Sequence, residues 1–414
     1  MRHGKESPMQ AVLLEDVARG RFGPLTLLRP EFDLRCGILT LREKLERRRP
    51  DWRIALQPRP ALADVVADEC PGRGLDSLDD APTLLLYGRV IVDDALLAAI
   101  DGLSGDVTLT SGGEVIGALV AAGAADRLES SGAAGAGIEA LGIDASAEVP
   151  ARAVTYPWDV VAATAGEIAA DAGLTARLGD VRSELHHCVR LEAKEVVDVG
   201  ERCDMGPSAV LDARSGPIVI GDDVTVMPNA VLIGPAFVGA GSVVRANASI
   251  YGGTSIGPVC KVGGEVSGSV LQSYANKQHG GYLGNSFVGS WVNLGAATNT
   301  SDLKNNYGNV RVRVDGESVD TGLTSVGATI GDHSKTAIGT RLNTGSTIGV
   351  FCSVVTDGFP PKSIPSFSWV TPDGTVAHDL ERAIDTGRTV MARRGVEMSQ
   401  PLERRIRAIY ETTA

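Results

Sequence analysis

Aromatic side chains are scarce here: 7 Phe, 4 Trp and 7 Tyr stand in 414 residues. So few rings exclude a core packed from large aromatics over most of the length. The six cysteines, Cys36, Cys70, Cys188, Cys203, Cys260 and Cys352, include no C-x-x-C pair. That excludes a disulfide framework or a zinc ribbon as the organising device and leaves buried, reduced thiols. No stretch reaches the roughly 18 uninterrupted apolar residues of a membrane span. The opening MRHGKESPMQ lacks the apolar core of a signal peptide, so a cytoplasmic protein with no membrane partner is expected. Positive charge is in short supply too, 39 Lys and Arg against 51 Asp and Glu, for a formal net charge of −12. This argues against nucleic-acid or anionic-membrane binding, and any anion must be met by a local cluster of cations.

Glycine is what the chain has in excess, 50 residues against an ordinary share of about 7%. A fixed period accounts for much of it. Aliphatic residues recur every six positions at Ile220, Val226, Leu232, Val238, Val244, Ile250, Ile256 and Val262. Small residues stand two places earlier at Ala230, Ala236, Ser242, Ala248, Thr254 and Cys260, and Gly221, Gly239, Gly257 and Gly263 follow aliphatic positions directly. This pattern predicts a parallel β-helix in which each hexapeptide makes one short strand and one corner. The aliphatic residue fills a narrow interior, the small one fits the turn, and glycine supplies backbone freedom at corners. Val199, Met205 and Leu211 lead into the run, Tyr282, Val288 and Leu294 continue it, and Ile330, Thr336, Leu342, Ile348 and Val354 close it. Two excursions, residues 263–281 and 300–329, break the beat, and insertions in a solenoid collect on a binding face. The second carries Val310, Val312 and Val314 before Asp315-Gly316, a two-residue hairpin signal.

The flanks read differently. Residues 1–190 alternate short apolar runs with helix-like stretches, the pattern of an α/β domain with a largely parallel sheet. The solenoid domain is assigned to residues 191–370, and a tail at 371–414 carries the periodicity of one or two packing helices.

Six histidines can be weighed one by one. His279 lies in N-K-Q-H-G-G-Y-L-G at the end of the first excursion, where a neutral imidazole is placed to take a proton near neutral pH. His333 in I-G-D-H-S-K is expected at an exposed corner, and His186 and His187 sit in the connector. A zinc site shared between hexad-repeat subunits needs three histidines, and the solenoid supplies only His279 and His333.

With these residues in view, the solenoid resembles the left-handed β-helix acetyltransferase domain of the bifunctional glucosamine-1-phosphate N-acetyltransferase and N-acetylglucosamine-1-phosphate uridyltransferase family. The motif H-x-x-Y-L-G matches His279, Tyr282, Leu283 and Gly284, and N-h-G-A matches Asn293, Leu294, Gly295 and Ala296. The resemblance implies acetyl-CoA as donor, an amino sugar phosphate or related sugar nucleotide as partner, and a homotrimer. It implies His279 as general base, Glu265 as the carboxylate of the base's network and the Ala296 N–H as oxyanion donor. Arg245 would hold the sugar phosphate with Tyr282 assisting, and Asn293 would bind the sugar. The family's second phosphate lysine falls on Ser267, so Lys277, Lys304, Arg311 or Arg313 would supply that charge. An asparagine near the acetyl group falls on Asp302, and a serine at the cofactor on Ile338.

The amino-terminal part resembles the uridyltransferase half of the same family. Pro24-Leu25-Thr26, Arg29-Pro30, the run from Leu34 to Lys44, Leu86-Tyr87-Gly88-Arg89-Val90 and Tyr156-Pro157-Trp158-Asp159 carry the likeness. Nucleotidyl transfer requires a glycine-rich phosphate loop and a carboxylate for Mg²⁺. In place of G-x-G-T-R-x-x-P stands E-D-V-A-R-G-R-F-G-P, and the usual metal aspartate is Arg89. Either binding of UTP and Mg²⁺ falls to Arg21, Arg29, Arg35 and Lys44 with Asp93 or Asp94, or this half no longer catalyses. The expectation is an acyltransferase fused behind a divergent nucleotidyltransferase domain. Two other readings are a regulatory protein that uses the solenoid only for trimerisation, and a sugar-nucleotide binder without turnover.

Overall fold

The computed structural model of the chain describes residues 9–16, 20–132 and 137–413. Residues 17–19, inside the stretch read as counterpart of the phosphate loop, lie outside the described residues, as do residues 1–8 of the opening segment.

The amino-terminal sheet runs, from one edge, Arg53–Gln57, Gln10–Leu14, Thr83–Tyr87, Glu114–Val120, Val107–Ser111 and Ser146–Glu148. The first three strands are parallel, but Glu114–Val120 is antiparallel to both its neighbours. Val107–Ser111 is in turn parallel to Ser146–Glu148, so five of the six strands run the same way and the sheet is largely parallel, with Glu114–Val120 the one reversed strand. The cause is local: Gly112 and Gly113, with φ of 58° and 81°, close a two-residue turn, and a hairpin so short can only be antiparallel. The helix Leu41–Arg48 starts at a capping box in which Thr40 and Glu43 satisfy each other's backbone N–H groups. The helix Pro157–Thr175 leads toward the second domain.

From Val181 onward the chain coils. Isolated parallel bridges join Val181 to Val199 and Leu185 to Met205, and three parallel ladders then rise together. One column reads Val199, Ile220, Val238, Ile256, Leu271, Val288, Ile330, Ile348 and Ile364. A second reads Met205, Val226, Val244, Val262 and Lys277, and a third Leu211, Leu232, Ile250, Val266 and Leu283. All of these are buried. The hexad thus maps onto a parallel β-solenoid.

Two parts of the periodic reading change. Residues 263–281 are not an excursion: Val266, Leu271 and Lys277 keep interior positions while the corners between them shorten. The beat therefore shifts by one, so that Leu283 points inward and Tyr282 is only half-buried. The glycines that follow aliphatic positions also serve a different purpose. A Cβ on Gly257 would stand 1.9 Å from the Gln272 carbonyl oxygen, and one on Gly239 2.6 Å from the Pro258 nitrogen, so these glycines permit close approach between coils. Left-handed corner conformations fall largely to other residues, among them Asn229, Asn247 and His333 at φ of 62°, 58° and 61°.

Several of the scarce rings sit outside the solenoid. Phe237 and Val219 face Ile38, Leu39, Ile168 and Ala172, while Val270 and Phe287 face Phe22, Leu25, Leu41 and Val160. The amino-terminal domain is thereby docked on the nine-stranded face. Polar contacts lock the seam: Ser255 Oγ donates to the Gly37 carbonyl at 2.6 Å, and Gln272 Nε2 to the Asp33 carbonyl at 2.7 Å. On a corner, Tyr274, Trp291, His333, Phe351 and Phe367 stack as a ladder, with Tyr410 edge-on to Phe367. The expected tail helices, Leu380–Ala392 and Gln400–Thr413, pack against this ladder. His333 is consequently buried, at 2% exposure, and not exposed as its corner sequence predicts. The helix over it is the reason, since a Cβ on Gly387 would lie 3.6 Å from His333 Nδ1.

Gly257→Ala drives a methyl group into the next coil and is expected to destabilise the fold by about 1–3 kcal/mol, measured by denaturant unfolding.

Candidate active site

Successive coils bring one corner of the solenoid into a column. Arg245 N–H donates to the Val262 carbonyl and Gly263 N–H to the Lys277 carbonyl, each at 2.8 Å. Ala297 N–H donates to Gly280 at 2.9 Å, and Gly339 N–H to Ala296 at 2.7 Å. Arg245, Gly263-Gly264, His279-Gly280, Ala296 and Ile338 are therefore stacked at spacings near the roughly 4.8 Å that separates paired strands. The glycines strip this corner of side chains. A Cβ on Gly263 would lie 2.9 Å from Arg245 Cβ, and one on Gly264 2.9 Å from the His279 carbonyl oxygen.

His279 is exposed on this bare corner. Its loop is held from inside the solenoid by Lys277, whose Nζ donates to the His279 carbonyl at 2.7 Å and to the Gly263 carbonyl at 2.9 Å. Lys277 occupies an aliphatic position of the column and is 2% exposed. It faces inward and not toward a substrate phosphate, because the two corner carbonyls turn into the core and need a donor there. Burial pulls the amine down to about 8. The Ala296 carbonyl is engaged by Gly339, whereas its N–H has no partner among the described residues. Asn293 pairs through its backbone with Ser334 and Thr336, and no contact among the described residues engages its amide side chain.

The neighbouring corner groups differently from the resemblance. Tyr282 Oη donates to Asp302 Oδ2 at 2.9 Å, and Asn285 Nδ2 to the same oxygen at 2.7 Å. Burial, together with the Asp302 carboxylate, raises the Tyr282 phenol well above its ordinary value. Glu265 is exposed and lies across the ladder from Tyr282; among the described residues no hydrogen bond joins it to His279. Asp302 also anchors the insertion, accepting Val326 N–H through its carbonyl at 2.8 Å. Nothing periodic in the sequence singles out Asn285. The predicted hairpin forms as Arg311–Val314 against Glu317–Asp320, but it leans on Trp158 through Val310 and Val312. Its cations are engaged locally: Lys304 Nζ with the Asn309 carbonyl, Arg311 with Ser318 and Arg313 with the Gly316 carbonyl.

In the amino-terminal domain the three cations assigned to nucleotide are structural. Arg29 forms a bidentate pair with Asp332 of the solenoid at 2.9 and 2.5 Å and reaches Ser290 at 3.0 Å. Arg35 is buried on the Gln272 and Ile38 carbonyls. Lys44, with no exposed surface, meets Asp171 at 2.7 Å and Glu167 at 2.8 Å. All three lie at buried seams, where a charge must be paired or hydrogen-bonded to persist. Arg21 pairs with Asp315, Asp93 caps the helix Asp94–Asp101, and Asp94 pairs with Arg48. Arg89, standing where the resemblance expects a metal-binding aspartate, is 1% exposed and held by Asp16 at 2.7 Å and Glu114 at 3.3 Å. A guanidinium there does not fit a divalent cation. Beside it Glu15, Asp16 and Glu31 line a cavity of about 320 Å³ with Arg59 and Arg405, and burial pushes the Glu31 carboxyl up to about 8.

Comparison with known proteins bears on the amino-terminal domain. The family model described as "Sugar nucleotidyl transferase" matches residues 11–178. The bifunctional protein GlmU of Acidithiobacillus ferrooxidans is 32% identical over 185 residues, 44% of this chain and 36% of that protein. The likeness to GlmU and to sugar nucleotidyltransferases thus extends over less than half of the chain. GlmU of Synechococcus elongatus is 29% identical over 169 residues, and GlmU of a Thermotoga species 30% over 192 residues. The chain spans about a third of the length of these GlmU relatives, 36%, 32% and 36% respectively. Among solved structures, a UDP-N-acetylglucosamine acyltransferase is 15% identical, covering 56% of this chain and 80% of its own, at a TM-score of 0.30. A second, from Campylobacter jejuni, is 12% identical over 54% of this chain and 95% of its own, at 0.22. At such scores these likenesses carry no argument, and the solenoid rests on its own ladders. Among the described residues, no helix is long and apolar enough to cross a membrane.

Two outcomes follow from the charges. Arg29→Met leaves Asp332 buried without its partner and is expected to lower unfolding free energy by about 3–5 kcal/mol. For Lys277, whose amine titrates near 8 when folded and near 10.4 when unfolded, the unfolded chain binds more protons between those values. Stability contributed by this lysine therefore rises with pH across that window. The denaturant midpoint of the parent relative to Lys277→Met should increase from pH 8 to about 10, and a flat difference would place the amine in water.

Proposed function

We propose that the solenoid is an acetyl-CoA-dependent N-acetyltransferase acting on an amino sugar phosphate, with glucosamine 1-phosphate as first candidate, in the synthesis of a sugar nucleotide. The observation that supports this most directly is the bare corner itself, where Arg245, His279 and the unpartnered Ala296 N–H stand on nearby coils. Acetyl-CoA supplies the acyl carbon. Arg245 holds the phosphate, and Asn293 presents its amide to sugar hydroxyls. His279 takes the proton of the amine as the nitrogen attacks the thioester carbonyl. The Ala296 N–H donates to the carbonyl oxygen as it becomes anionic, an interaction that can be worth roughly 3 kcal/mol. The C–S bond then breaks and the thiolate leaves, to be protonated. The Tyr282–Asp302–Asn285 group is given the part of a wall that orients the acceptor, with Glu265 beside it. Positioning supplies much of the rate. A homotrimer in the cytoplasm, with each corner facing a neighbouring subunit, completes the reading.

The amino-terminal domain is assigned a supporting role. Its candidate nucleotide cations are engaged in structural contacts, Arg89 replaces a metal ligand, and no step is drawn through UTP or Mg²⁺.

Release of CoA thiol from acetyl-CoA in the presence of glucosamine 1-phosphate tests the main claim. His279→Ala is expected to lower kcat by at least about 10²-fold with the fold intact by circular dichroism. An unchanged rate would leave the solenoid as a trimerisation rod, and absence of thiol release with every amino sugar phosphate tried would refute acyl transfer. Pyrophosphate release from UTP with N-acetylglucosamine 1-phosphate is expected to stay at background; a clear signal would return nucleotidyl chemistry to the cavity at Glu15, Asp16 and Glu31.

A further inference from the structure

Four cations gather on the outer side of the solenoid. Lys261 is the ladder partner of Val243 on one side and Asn276 on the other, one strand spacing from each. Arg245 follows Val243 by two residues, which continues the same outward face. Arg394, just past the helix Leu380–Ala392, donates from Nη2 to Asn276 Oδ1 at 3.0 Å, and the exposed Arg393 precedes it. The tail thereby lays two guanidinium groups beside the column that carries Lys261.

These charges repel one another. The Lys261 amine is drawn below its ordinary value by Arg394 first, then by burial, and then by Arg245 and Arg393. Among the described residues none of the four is joined to a carboxylate. The same tail pairs two further arginines with carboxylates, Arg388 with Glu403 and Arg407 with Glu381. Nor are acids short, at 51 against 39 basic residues. Like charges held close without a counter-ion are destabilising, and an anionic ligand removes the cost.

We infer that Lys261, Arg393 and Arg394, with Arg245 at their edge, form a binding site for a phosphate-bearing small molecule. Asn276 stands between the lysine and the arginine, and Asn293 is its bridge partner on the next coil, so amide groups flank the cations for hydroxyl or phosphate oxygens. The site makes the carboxy-terminal tail part of ligand binding and not only a packing element. The phosphate belongs either to a sugar phosphate or to the ADP portion of a CoA thioester. Arg245 and Asn293 are shared with the acetyl-transfer reading, but the test substitutes neither of them and reads equilibrium binding, so the two stand or fall separately.

Calorimetric titration of the full chain with glucosamine 1-phosphate, CoA and 3′-dephospho-CoA, repeated for Lys261→Gln and Arg393→Gln, decides it. Among the described residues neither side chain makes a hydrogen bond, and each substitution removes like-charge repulsion, so melting temperatures should be no lower than the parent's. Each substitution is expected to weaken at least one ligand about tenfold, with the parent's binding more sensitive to salt than the variant's. Weakening confined to the sugar phosphate assigns the acceptor. Weakening of CoA alone assigns the 3′-phosphate, and of CoA and its dephospho form together the diphosphate. The inference is overturned if the parent binds none of the three, if affinities are unchanged, or if the variants instead alter the association state in sedimentation, which would make the cluster a subunit contact.

Discussion

The backbone ladder between coils is the interaction on which the rest of this protein depends. Each coil donates its N–H groups to the coil beside it, so a side chain's neighbours up and down a column are set by main-chain register and not by its own chemistry. Hydrogen bonds of this kind contribute modestly one at a time, but they determine what can stand beside what. Arg245, His279 and Ala296 are far apart in sequence and close in space for that reason alone. The same ladder demands glycine at Gly239 and Gly257, where a neighbouring backbone leaves no room for a Cβ.

A ladder with bare corners also has to dispose of polar groups that turn inward. Lys277 does so by placing an ammonium group in the aliphatic column, where it answers two carbonyls and fastens the His279 loop. A cation inside a narrow apolar tube is tolerated because its donors are satisfied and its amine is drawn toward neutrality. The arrangement separates two tasks that sequence inspection merges: Lys277 holds the loop while His279 remains free at its surface.

The docking of the amino-terminal domain follows a second constraint, the apolar outer face of the nine-stranded sheet. Phe237, Val270 and Phe287 require a cover, and the segment from Phe22 to Leu41 with the helix Pro157–Thr175 supplies it. Charges that come to lie in that seam need partners, which is why Arg29, Arg35 and Lys44 are bound to solenoid or helix groups. A domain with the outline of a sugar nucleotidyltransferase thus has Arg29 and Arg35 engaged with the solenoid and Lys44 with the helix Pro157–Thr175.

Hexad spacing makes the solenoid legible in the sequence, because a six-residue strand-and-corner unit repeats its side-chain requirements without reference to distant parts of the chain. The hairpin at Asp315-Gly316 and the tail helices are legible for the same local reason, and the motif around His279 and Asn293 points to the corner. Burial and pairing are not local, and only the tertiary structure decides them. The shortened corners after Val262 move Tyr282 off the interior, the tail helix buries His333, and Asp332 claims Arg29 from the other domain. In each case the deciding partner lies tens to hundreds of residues away, brought near by register or docking that no short window of sequence contains.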